Sequence, residues 1–78
     1  TIRVQFAYDP TIVTDQFPTA RIIERTPDGA MFEFISQDTP GLKRWLLSQA
    51  DALTVLSPQS LVNDMKNFLK RMQQNYDK

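Results

Sequence analysis

The sequence predicts an α+β fold, a ferredoxin-like βαββαβ sandwich with four antiparallel strands, two helices on one face and an additional C-terminal helix. Three observations predict it. Four short stretches carry strand-type alternation, two Asx/Thr-Pro pairs open helical stretches between them, and the last stretch repeats its apolar residues at helical period. Right-handed crossovers fold the order strand, helix, strand, strand, helix, strand most simply into that split arrangement.

From Thr1 to Ala7 the chain alternates, with Ile2, Val4 and Phe6 on one side and Arg3 and Gln5 on the other. Asp9-Pro10 then supplies a capping carboxylate and the residue best suited to a first helical position. The helix runs through Ile12, Val13 and Phe17 until Pro18 stops it. Ala20 to Thr26 reads as a second strand, and Pro27-Asp28-Gly29 as a turn whose glycine can take positive φ. Ala30 to Ser36 returns as a third strand, with Phe32 and Phe34 on one face and Met31, Glu33 and Ile35 on the other. Thr39-Pro40 opens a second helix carrying Leu42, Trp45 and Leu46, with Trp45 expected in the core. Ala52 to Leu56 is the fourth strand, and Ser57-Pro58 reads as a third cap-then-proline start. Leu61, Val62, Met65, Phe68, Leu69, Met72 and Tyr76 then give the final helix a wide apolar stripe.

Composition excludes several functions. The 78 residues suffice for one domain, residues 1–78, near the lower size limit for a single apolar core. Nine basic and nine acidic residues cancel, so no bulk field draws this fragment to duplex DNA or an anionic membrane, and no direct DNA binding is expected. No apolar run is long enough for a membrane span. A first residue of Thr1 and the lack of a signal-peptide pattern point to a cytoplasmic piece cut from a longer chain. With neither cysteine nor histidine, the thiolate nucleophile, the usual general base and the commonest metal ligands are missing. No enzyme activity, catalytic residue, metal or cofactor is therefore expected. An acyl-phosphate hydrolase on this fold would need a glycine-rich anion loop after the first strand, where Ala7-Tyr8-Asp9-Pro10 stands instead.

With the phenylalanines facing the helices, alternation turns Arg3, Arg21, Ile23, Arg25, Met31, Glu33 and Ile35 to the open face of the sheet. Arginine beside exposed Ile23, Met31 and Ile35 has the composition of a contact surface, and no lysine lies on any predicted strand. The alternatives are a solvated face laced with weak ion pairs, or a site for a small anion held by arginine.

From Asp28-Gly29 onward, the segments Leu42-Lys43-Arg44-Trp45-Leu46-Leu47-Ser48 and Leu53-Thr54-Val55-Leu56-Ser57-Pro58-Gln59-Ser60-Leu61, then a helix ending at Tyr76, follow in a characteristic order. That order resembles the C-terminal extension behind the WYL domain, named for its Trp-Tyr-Leu triplet, in bacterial transcription regulators. The resemblance covers residues 28 to 76 well and the first strand loosely. It implies a longer protein with an N-terminal winged helix for DNA, a central WYL domain sensing a nucleotide or nucleic-acid-like effector, and this regulatory extension last. The implied partners are the WYL domain of the same chain or a second copy in a homodimer, with a role in dimerisation or effector-dependent gating. Two departures stand out. Gln49-Ala50-Asp51 replaces the family's glycine after the tryptophan helix, which points to a different helix end, and Val62 stands where a basic residue is usual. A stand-alone ferredoxin-like module binding a small anionic ligand is the competing reading.

Overall fold

A computed structural model describes residues 1–77. Its elements are β1 (Ile2–Phe6), α1 (Pro10–Gln16), β2 (Arg21–Thr26), β3 (Gly29–Phe34), α2 (Pro40–Ser48), β4 (Leu53–Ser57) and α3 (Gln59–Tyr76), with a 3-10 turn at Ala50–Ala52 before β4. The four strands form one antiparallel sheet in the order β2-β3-β1-β4, the ferredoxin-like order. Register follows the alternation: Ile2 stands opposite Phe34, Val4 opposite Phe32 and Phe6 opposite Ala30. Those six residues are buried and share one apolar core with Val13 and Phe17 of the first helical segment, Leu42 and Leu46 of α2, Leu53, and Leu61 of α3.

Local chemistry fixes the helix starts. The Asp9 side chain accepts from the Thr11 backbone N–H at 3.0 Å, and this bond holds its carboxyl below the ordinary carboxylate value. Thr39 Oγ1 likewise accepts from the Leu42 N–H at 3.1 Å. The third start differs from expectation. Ser57 ends β4, so its side chain belongs to the sheet; Pro58 caps α3 without a side-chain bond, its carbonyl accepting from Leu61 and Val62. Strand ends are also tighter than the alternation indicates. Thr19 Oγ1 accepts from the Ile35 N–H at 3.0 Å and donates to the Ile35 carbonyl at 3.2 Å, so a side chain replaces ladder bonds beyond Phe34. In the first turn of α2, Lys43 donates to Asp64 at 3.0 Å and to Asp38 at 3.3 Å, tying α2 to α3; these partners raise its pKa above the ordinary value.

The end of α2 corrects another expectation. Ala50 follows the C-cap residue Gln49 with φ of 53°, so it takes the left-handed conformation that glycine usually supplies. The helix therefore ends as a glycine-terminated one does, at the cost of a Cβ in an unfavourable region. Ala50→Gly is expected to stabilise the domain by about 0.5–1 kcal/mol. Urea melts of the two proteins check this, and a lower midpoint for the glycine variant would refute it.

Candidate functional site

The open face of the sheet is organised by one row of side chains. Arg3 of β1 and Arg21 of β2 both stand opposite Glu33 of β3, so three charged residues line up across neighbouring strands. Arg3 Nε donates to Glu33 Oε2 at 2.9 Å, and the Arg21 guanidinium donates to Oε1 at 2.8 Å. Hydrogen bonds from Arg21 and then Arg3 hold the Glu33 carboxyl below its ordinary value of 4.5. Its contribution to stability is thus complete near neutrality and disappears as pH falls through that lowered value. Glu33→Gln is expected to be less stable than wild type near neutrality, the gap narrowing on acidification and closing once the pH has fallen below that lowered value. Parallel melting curves across the acid range would contradict this. One row further along, Gln5 Nε2 donates to Thr26 Oγ1 at 2.8 Å. Half-buried Met31 lies between Gln5 and Glu24, its two strand partners.

Alternation alone misplaces part of β2. The register slips between Ile22 and Glu24, leaving Ile23 as an extra residue on the strand. Such a slip moves every later side chain to the other face. Arg25 consequently stands opposite Ala30, a core residue, and so lies on the helix-bearing side instead of the open face. Glu24 and Thr26 take the open positions, opposite Met31 and Gly29. Ile23 is 37% exposed at the bulge, while Ile35 is 70% exposed just past the end of β3. The structure therefore brings together Arg3, Arg21, Glu33 and Met31, and sets Ile23, Arg25 and Ile35 apart. The Ile22-Ile23 doublet, which interrupts strict alternation, was the one signal in the sequence for the bulge.

A second feature was not singled out by the sequence reading. Between the end of α2, β4 and α3 runs a groove of about 680 Å³, walled mainly by Leu46, Leu47, Leu53, Val55, Val62, Met65, Leu69 and Met72. Asp51 and Lys66 are its charged residues. Only Leu61 of α3 is buried, and beyond it the apolar stripe emerges from the body: Leu69, Met72 and Tyr76 are exposed. On its own the 3.6-residue stripe reads as core-facing. Its length was the available clue, because a helix of 18 residues spans about 27 Å, longer than the face of a small four-stranded sheet requires. Among the described residues there is no group of three metal-ligating side chains and no helix long and apolar enough to cross a membrane.

These surfaces belong to a small α+β domain with an ion-paired sheet face on one side and an apolar groove beside α3. The particular kind is given by its relatives: the WCX domain matches residues 1–73, and the chain belongs to that family, the WYL C-terminal extension associated with WYL-domain transcription regulators. The matched residues include the first strand and the first helix. WCX domains of regulators are non-catalytic in general. No curated protein and no solved structure matches the chain.

Proposed function

We propose that this chain is the regulatory and assembly domain of a longer cytoplasmic bacterial regulator, contributing to dimerisation or to gating of DNA binding by a WYL-domain effector. The observation that carries this reading is the groove beside α3 and the exposed half of its apolar stripe. A monomer gains by covering contiguous apolar surface of that kind, and the apolar face of a helix is one means of doing so. The WYL domain of the same chain or a second copy supplies the covering surface, while DNA is held by a separate domain. The row Arg3–Glu33–Arg21, with Met31 beside it, provides a second contact surface on the open face of the sheet.

Leu69→Asp with Met72→Asp separates contact from folding, because both side chains are largely exposed. The double variant is expected to keep its circular dichroism spectrum and melting temperature within a few degrees of wild type. In the full-length regulator it abolishes the change in operator occupancy that effector produces. An undiminished effector response would remove the groove from the mechanism.

The competing reading, a small-anion site on the open face, draws on two exposed guanidinium groups, Arg3 and Arg21. Against it stands Glu33, which already accepts from both. An incoming phosphate or carboxylate has to displace that carboxylate or share the arginines with it, and like charges at this range repel.

A further inference from the structure

The final helix falls into two parts that the body of the domain holds very differently. Its base, residues 59–65, is tied down: Leu61 is buried in the core, Met65 packs against it, and Asp64 accepts from Lys43 of α2 at 3.0 Å. Among residues 66–76 every side chain except Phe68 is exposed. Phe68 is half-buried and lies under the Arg71 guanidinium at 4.7 Å, a contact within the helix itself. Leu69 and Met72 line the groove of about 680 Å³ between α3, β4 and the end of α2, so open space lies beneath this stretch. None of the described ion pairs joins it to the body.

Local chemistry does not replace the missing packing. Residues 65–76 contain no carboxylate, so Lys66, Lys70 and Arg71 find no opposite charge one turn away. Lys66 and Lys70 are four apart, the spacing at which like charges on one helix face repel. The last turn has no basic residue, and the C-cap is Asp77, a carboxylate where the helix dipole favours a cation. A helical stretch this short is marginal in water without tertiary support. Because the anchored base supplies its nucleus, order is lost progressively from Tyr76 back towards Met65. We infer that residues 66–76 form an arm that unwinds and reforms while the rest of the domain stays folded, with the Lys43–Asp64 ion pair marking the end of the fixed base. One wall of the groove is then present only part of the time. A surface that covers the apolar stripe has to order the arm as it binds, so contact and helix formation become one event. The inference stands on the packing and charge pattern of α3 and does not need the contact role proposed above.

Native-state hydrogen exchange on the 78-residue chain, read amide by amide, tests this. Amides of residues 70–76 are expected to be protected less than about 100-fold, and those of the central strand β1 at least about tenfold more. Lys66→Glu replaces repulsion with attraction at the Lys70 spacing and is expected to raise the arm's protection about two- to fivefold, with little change in β1. Lys70→Pro breaks the helix inside the arm. It is expected to lower the helical circular dichroism signal yet move the urea midpoint by less than about 1 M, where proline in a helix that unfolds with the core moves it further. Arm amides protected as strongly as those of β1 overturn the inference, because the arm then opens only with the whole domain. A larger fall in the midpoint of the proline variant overturns it as well. Either result leaves the contact role of the groove untouched.

Discussion

Gly29→Ala is expected to destabilise the domain by about 3–5 kcal/mol, enough to leave much of it unfolded at room temperature. Gly29 begins β3 with φ of 142°, a backbone conformation that residues with a side chain rarely adopt. The space is closed as well. A Cβ at this position meets the Phe6 carbonyl oxygen at 2.0 Å and the Ala7 Cα at 2.8 Å, both backbone atoms of the central strand region. No rotamer change relieves a clash with backbone, so β1 and β3 must separate where Phe6 pairs with Ala30. Asp28→Ala, one residue earlier in the exposed turn, serves as the control and is expected to cost less than about 0.5 kcal/mol. Urea titrations of the three proteins decide the matter. A cooperative Gly29→Ala transition near the wild-type midpoint would show that the β1–β3 contact can open without loss.

The same residue shows why so much of this fold was legible. A turn glycine followed by period-two alternation, and two prolines each following a capping side chain, are local signals whose physical causes act within four residues. They placed four strands and three helices in order, and the order of segments from Asp28 to Tyr76 carried the family. What failed depended on distant partners. The bulge at Ile23 exists because β2 must fit β3, and it transferred Arg25 to the helix-bearing side while bringing Glu24 and Thr26 to the open face. Ser57 looked like a cap because of the proline after it, yet its strand pairing with Arg3 took precedence. The groove is a still stronger case. Helical periodicity shows that a face is apolar, but only the packing of α2 and β4 shows how much of that face is covered.

The aromatic ladder carries the second large effect, and here the structure changes the ranking that the sequence implies. Trp45, the only tryptophan, is half-buried at the margin of the core. It meets Phe17 edge-on, with ring centroids 5.0 Å apart, and Phe17 lies parallel to Phe34 at 4.0 Å. Phe34 is the inner member, 1% exposed and paired with Ile2 across the sheet. Phe34→Ala is therefore expected to cost about 4–5 kcal/mol, because it empties a fully enclosed site and removes the stacking surface of Phe17. Trp45→Ala is expected to cost about 2–3 kcal/mol, since water can reach part of the space it vacates. The coupling should follow the contacts. A double-mutant cycle between Phe17 and Phe34 is expected to return about 1 kcal/mol, and one between Phe34 and Trp45 markedly less, as Phe17 stands between them. Denaturant melts of the single and double variants, with leucine in place of alanine at Phe34 where the alanine variant does not fold, supply all four corners of each cycle. Equal losses for Trp45→Ala and Phe34→Ala would place the tryptophan in the interior, and a vanishing Phe17–Phe34 coupling would mean that the stacked pair contributes only through buried area.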